Sequence, residues 1–158
     1  MTPQEIFDDL KAQFGDGILD GKMDAQQPWI QIAGGRVKEI CEYLRNDARL
    51  SFDYLSCLSG VDYNDGRLGV VYHLTSMGLR HKIVLKAFCT KENPHVQSVA
   101  GIWGTANWHE REAFDLIGVV FDGHPDLRRI LLPYDWEGHP LRKDYKVPEF
   151  YDGMKVPY

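Results

Sequence analysis

The stretch that most constrains this chain begins at Phe121, where regular periodicity ends but apolar content does not. Pro125, Pro133, Pro140 and Pro148 break any helix or central strand longer than a few residues. The same segment carries Leu127, Ile130, Leu131, Leu132, Tyr134, Trp136, Leu141 and Tyr145. So much apolar surface on irregular backbone has to be covered, by the rest of the domain or by another chain. Two Gly-His-Pro tripeptides punctuate it, at Gly123-His124-Pro125 and Gly138-His139-Pro140.

Just upstream, the residues from Asn107 read as a helix. Trp108, Phe114 and Leu116/Ile117 give an apolar stripe, and Gly118 is its stop. Val119-Val120-Phe121 is short and β-branched, and predicts a strand leaving the sheet before an Asp122-Gly123 turn.

Glu110-Arg111-Glu112, Asp115-Leu116-Ile117, then His124, Arg128, Ile130 and Leu131 resemble the signature of the 30 kDa (C-type) subunit of respiratory complex I, the NADH-quinone oxidoreductase. Arg129 lies inside that signature. Pro140-Leu141-Arg142-Lys143-Asp144-Tyr145, preceded by His139, is similar to the box that closes this family's conserved domain. The N-terminal two thirds resemble the family more loosely, in element order and length.

The bulk properties agree with one soluble domain. The chain has 158 residues, 44% hydrophobic and 26% charged, enough to bury a real core. Its net charge of −5 gives no electrostatic case for nucleic acid or an anionic membrane. No apolar run approaches the roughly 20 residues needed to span a bilayer, and Met1–Phe14 does not read as a signal peptide. A cytosolic or peripheral location is expected. Cys41, Cys57 and Cys89 are scattered and form no C-x-x-C pair, so neither an iron–sulfur cluster nor a zinc ribbon is indicated.

In chain order, Thr2, Pro3 and Glu5 predict a capped helix to Phe14, with Ile6, Leu10 and Phe14 on one face. Ile18-Leu19 and Trp29–Ile32 read as a strand pair. A second helix is expected from Arg36 to Ala48, burying Val37, Ile40, Cys41 and Leu44. Gly34-Gly35 before it matches neither nucleotide-binding glycine pattern and reads as a turn. Phe52–Leu55 predicts a short strand, Ser59–Arg67 a loop, and Leu68–Ser76 with His81–Thr90 an antiparallel hairpin. The class is α+β: two layers, helices on one face of a largely antiparallel or mixed sheet, then an irregular Pro- and aromatic-rich tail. Residues 1–145 form the domain and 146–158 an extended docking tail.

Candidate chemistry is weak. His109, Glu110 and Glu112 lack the H-E-x-x-H spacing of a helical metal site. His124 and His139 have no carboxylate or cysteine at a familiar ligand spacing, so each imidazole is expected to donate to a backbone carbonyl. His109, Glu112 and Asp115 share a helix face and define the alternative of a stand-alone acid/base enzyme, though no nucleophile motif accompanies them. Glu110, Arg111, Glu112 and Asp115 are instead expected to pair with Arg128, Arg129, Arg142 or Lys143 and pin the irregular segment. Arg142, Lys143 and Lys146 beside Tyr145, Phe150 and Tyr151 read as a docking patch for an acidic partner.

The resemblance implies a non-catalytic scaffold protein in the peripheral arm of a proton-translocating NADH:quinone oxidoreductase. It implies packing against the 49 kDa-type (D-type) subunit, near the one holding the terminal iron–sulfur cluster. No cofactor is expected in this chain; its partners would hold FMN and the iron–sulfur clusters. The location implied is peripheral, on the cytoplasmic side of the inner membrane or its thylakoid or organelle equivalent. Homologous proteins of energy-converting hydrogenases, F420 dehydrogenases and ferredoxin-fed photosynthetic complexes stay open as alternatives.

Overall fold

The computed structural model describes residues 1–156. Helix α1 (Pro3–Phe14) starts on a capping box: Thr2 Oγ1 accepts from the Glu5 N–H at 3.3 Å and the Glu5 carboxylate accepts from the Thr2 N–H at 2.7 Å. Strands β1 (Ile18–Lys22) and β2 (Trp29–Ile32) pair antiparallel, and α2 (Val37–Asn46) follows a single 3-10 turn at Gly34–Arg36. Strands β3 (Tyr54–Asp62), β4 (Arg67–Thr75) and β5 (Lys82–Thr90) form a meander, and β6 (His95–Gln97) leads toward α3 (Ala106–Ile117) and β7 (Val120–Asp122). A small hairpin of β8 (Phe150–Tyr151) and β9 (Met154–Lys155) lies in the tail.

The main sheet has the order β1-β2-β5-β4-β3, antiparallel except where β2 runs parallel to β5. One alternating set, including Leu68, Val70, Tyr72 and Leu74 on β4, faces a single core. Ile6, Leu10 and Phe14 of α1, Val37, Ile40, Cys41 and Leu44 of α2, and Ala113 and Ile117 of α3 complete that core. All three helices therefore cover one face, the two-layer α+β arrangement expected. Trp29, Lys86 and Phe88 lie on the other face, where the Lys86 ammonium sits 4.1 Å from the Trp29 ring centroid.

Three local expectations need correction. Ser59–Asp62 is strand rather than loop, paired from Ser59↔Val71 to Asp62↔Leu68. Gly60 belongs in that strand because α3 lies on it: a Cβ there would come within 3.1 Å of Ala113 and 3.2 Å of Ile117. Helix packing overrides the low strand propensity of Ser59-Gly60. Second, Val120–Asp122 does not join the main sheet; it pairs parallel with β6 in a separate two-stranded sheet. Third, Trp108 is exposed, and α3 instead buries Ala106, Glu110, Arg111, Ala113, Asp115 and Ile117. A helix that buries three charged groups hides its inward face from a hydrophobicity pattern.

Candidate functional site: a polar brace on the third helix

The buried charges of α3 hold backbone. Glu110 is fully buried and accepts from Ser98 Oγ at 2.6 Å and from the Val99 N–H at 2.7 Å, fixing the turn that enters the helix. Burial raises its pKa to about 7, against the pull of those two hydrogen bonds. His124 Nε2 lies 4.0 Å from the same carboxylate. It donates to the Asn107 carbonyl at 3.1 Å while Nδ1 accepts from the Asp126 N–H at 2.9 Å, so both ring nitrogens are occupied.

Asp115 is the centre of the brace. One carboxylate oxygen accepts the N–H groups of Ile130, Leu131 and Leu132 at 3.0, 2.7 and 2.9 Å. The other meets Arg129 Nη1 at 2.8 Å, and Arg129 Nη2 reaches the carbonyls of Trp136 and Gly138 at 2.8 and 3.0 Å. Burial opposes ionisation of Asp115, but these donors outweigh it and hold the pKa below the usual carboxylate value. Arg111 donates to the carbonyls of Arg128 and Arg129, both at 3.2 Å.

The end of the braced loop then caps the helix C-terminus, whose last carbonyls have no partner within the helix. Gly118, at φ +82°, donates to Phe114 O at 3.0 Å. His139 Nδ1 donates to Asp115 O at 3.0 Å, the Leu141 N–H to Leu116 O at 2.9 Å, and Arg142 Nε to Ile117 O at 2.7 Å. Burial lowers the His139 pKa, and the nearby Arg142 and Arg129 act in the same direction. Finally Asp62, at the end of β3, accepts from the Lys143 N–H and from Lys91 Nζ at 2.9 and 2.8 Å, and Lys91 also meets Asp144 at 3.3 Å. Burial opposes ionisation of Asp62 as well, but Lys91 and the Lys143 and Asn64 amides bring its pKa down to about 2. Tyr145 closes the segment, its hydroxyl accepting from Trp136 Nε1 at 3.1 Å.

Of the residues singled out in the sequence, Glu110, Arg111, Asp115, His124, Arg129, His139, Leu141, Arg142, Lys143, Asp144 and Tyr145 thus meet in one network. Glu112 does not: its side chain is exposed, at the mouth of a cleft between α3 and β3. The Arg128 side chain pairs with Asp126, and only its carbonyl enters the brace. Pro140 is half-buried between two of the capping residues. Of the expected basic docking patch, the Arg142 side chain is spent on a helix end and Lys143 gives its amide to Asp62, while Lys143 and Lys146 are exposed. Ser98, Asp62 and Lys91 are functional members that the sequence reading missed. Only Asp62 had a local signal, its turn bond to the Asn64 N–H at 2.9 Å.

This arrangement offers little to a substrate. His109 and Glu112 line a cavity of about 150 Å3 between β3 and α3, but Asp115 does not border it. His109 Nδ1 is already accepting the Leu58 N–H at 3.2 Å. Among the described residues, no three His, Cys, Asp or Glu side chains converge as a metal site, and no helix is long and apolar enough to cross a membrane. What the brace does present is apolar surface: Leu131, Leu141 and Phe150 are more than half exposed, and Tyr134 is 94% exposed.

Fold and site together define a two-layer α+β domain whose buried charges shape a long ordered loop. The chain belongs to the family of the respiratory-chain NADH dehydrogenase 30 Kd subunit, whose model matches residues 30–151. It is 54% identical to the C-type subunit of the NADH-quinone oxidoreductase of Chloroherpeton thalassium, over 94% of this chain but 63% of that one. Against the protein of the same name from Chlorobium phaeobacteroides it is 46% identical over 96% of this chain and 93% of that one. Among solved structures, a trypsin-resistant fragment of Nqo5 matches with a TM-score of 0.68 and 28% identity, covering 80% of this chain and 100% of the fragment. A chain of an archaeal membrane-bound sulfane sulfur reductase shares the fold, with a TM-score of 0.76 at 20% identity over 92% of this chain and 86% of that one.

Proposed function

We propose that this chain is a non-catalytic scaffold in the peripheral arm of a proton-translocating NADH:quinone oxidoreductase. In this reading residues 1–145 are the scaffold domain and 146–158 a docking tail, of which Pro157 and Tyr158 lie outside the described residues. The domain packs against the 49 kDa-type subunit, close to the one that holds the terminal iron–sulfur cluster. It carries no cofactor itself; FMN and the clusters belong to its partners, and its attachment to the membrane is indirect.

The observation that carries this reading is the pairing of a saturated internal brace with uncovered apolar side chains. A loop fixed by so many charge-assisted bonds, yet leaving Leu131, Tyr134 and Leu141 in water, is built to meet another protein. Electron tunnelling falls steeply with distance, so a rigid scaffold that fixes cluster spacing serves electron transfer without carrying electrons.

The test is to purify the tagged chain from gently solubilised membranes and identify its companions by mass. Co-purification of iron–sulfur and membrane proteins is expected, and the donor-side companions identify which quinone-reducing or related complex it serves. Recovery of the chain alone, soluble and monodisperse, would overturn the proposal.

A further inference from the structure

A second feature of the tail concerns what the docking surface recognises. Asp135, Trp136 and Glu137 on one side, and Pro148, Phe150, Tyr151 and Asp152 on the other, line a groove of about 240 Å3. The first wall is anchored to the brace: the Trp136 carbonyl takes Arg129 Nη2 and its indole N–H is held by Tyr145. The second wall is the β8–β9 hairpin, turned by Asp152 and Gly153 at φ +48° and +74° and closed by Val156 N–H to Glu149 O at 2.9 Å. The Trp136 and Tyr151 ring centroids are 4.9 Å apart, and the Tyr151 hydroxyl donates to Asp135 at 3.2 Å, tying the walls together.

Three carboxylates stand at this aromatic groove, yet none of them has a cation within ion-pair distance among the described residues. By contrast, Asp115, Asp62 and Asp47 each have a cation within ion-pair distance. Aromatic faces beside unpaired carboxylates suit a lysine or arginine, whose stem lies on the rings while its head meets the anions. Carboxylates also disfavour an anionic lipid or a phosphate there. Phe150 of the groove and Met154 on the same hairpin are 60% and 65% accessible, so the cation arrives on a polypeptide that covers apolar surface as well.

We propose that this groove receives a basic side chain from a neighbouring protein of the complex, with Glu137 and Asp152 supplying the charge and Trp136 and Tyr151 the stacking wall. The inference rests on the scaffold reading above and adds to it the chemistry of one contact. It concerns different charges from Arg142, Lys143 and Lys146, which the sequence suggested as a patch for an acidic partner.

The deciding experiment is electron cryo-microscopy of the complex purified through the tagged full-length chain, paired with a salt titration. The map should place a lysine or arginine of another protein of the complex within about 4 Å of Glu137 or Asp152, at ion-pair distance. The double variant Glu137→Gln/Asp152→Asn should leave the complex at a NaCl concentration at least about twofold lower than wild type. These side chains make no ion pair among the described residues, so the melting temperature serves as the folding control. Should that temperature fall, the wild-type map still decides. A groove that is empty, filled by lipid, by a second copy of this chain or by its own Lys146 or Lys155 overturns the proposal while leaving the scaffold reading intact. Equal salt midpoints overturn it too. If the wild-type chain brings down no partner, the scaffold reading and this inference fall together.

Discussion

Asp115 satisfies three amides and a guanidinium at once, so its removal strands more than one partner. Asp115→Ala leaves Arg129, only 16% exposed, without its counter-ion, a loss of about 3–5 kcal/mol by analogy with broken buried pairs. Chemical denaturation should show that loss, together with rapid tryptic cleavage between Arg128 and Lys143; wild-type protease resistance would rule out the brace. Glu110 makes a different prediction, in pH. Its folded pKa of about 7 lies above the reference 4.5, so the folded form holds a proton that the unfolded chain has released. That contribution is complete below about pH 4.5 and is lost as pH rises through about 7. Glu110→Gln keeps an oxygen for the Val99 N–H and has no such slope. Melting temperature against pH should fall more for wild type than for Glu110→Gln across this window, and parallel curves would refute it. Asp62 acts in the opposite sense: its contribution, present above the reference 3.8, is lost as pH falls through about 2. At this scale, charge types suggested that the α3 carboxylates pair with Arg128, Arg129, Arg142 or Lys143, but not that Asp115 takes Arg129. The Ser98 and Val99 partners of Glu110 were not legible, because composition says nothing about which amides an irregular turn aims at a carboxylate.

Elements were legible where their period matched their burial. The capping box of α1 and the β4–β5 hairpin stand as the residues predict, because local propensity and tertiary packing agree there. β3 was cut short because Ser59 and Gly60 carry a turn-like composition, while the reason for Gly60 is the distant Ala113 and Ile117 of α3. α3 was recognised but rotated: its stop at Gly118 was plain, its buried face of Glu110, Arg111 and Asp115 was not. Gly118 is where helix and tail meet, and it yields a prediction at this scale. A Cβ there would lie 2.5 Å from the His139 ring and 2.7 Å from Arg142 Nη2, on a residue already at φ +82°. Gly118→Ala should cost at least about 1–2 kcal/mol from the left-handed backbone alone. It should also push His139 and Arg142 off the helix carbonyls. Hydrogen exchange would then show the last turn of α3 opening faster, whereas wild-type protection there would mean that the loop at His139–Arg142 is not its cap.

For the whole molecule, the question is whether the tail belongs to the fold or to the assembly. The buried core cluster begins at Ile6 and ends at Phe121, with Leu127 packed against its edge. Past Tyr145 the described chain adds the β8–β9 hairpin, the Trp136–Tyr151 stack and the Tyr151–Asp135 hydrogen bond, all at the surface. Removing residues after Tyr145 therefore takes nothing from the core, while His139, Arg142 and the Lys143 amide stay on their partners. A chain ending at Tyr145 should melt within a few degrees of the full chain, since loss of surface contacts usually shifts stability by about 0.5 kcal/mol or less. It should nonetheless enter the complex poorly, because one wall of the acidic groove and the exposed Phe150 and Met154 have gone. The two measurements separate two roles. A truncated chain that melts early makes the tail part of the fold. One that is stable and assembles at the wild-type level removes the tail from the interface, and places recognition on Leu131, Tyr134 and Leu141 of the braced loop.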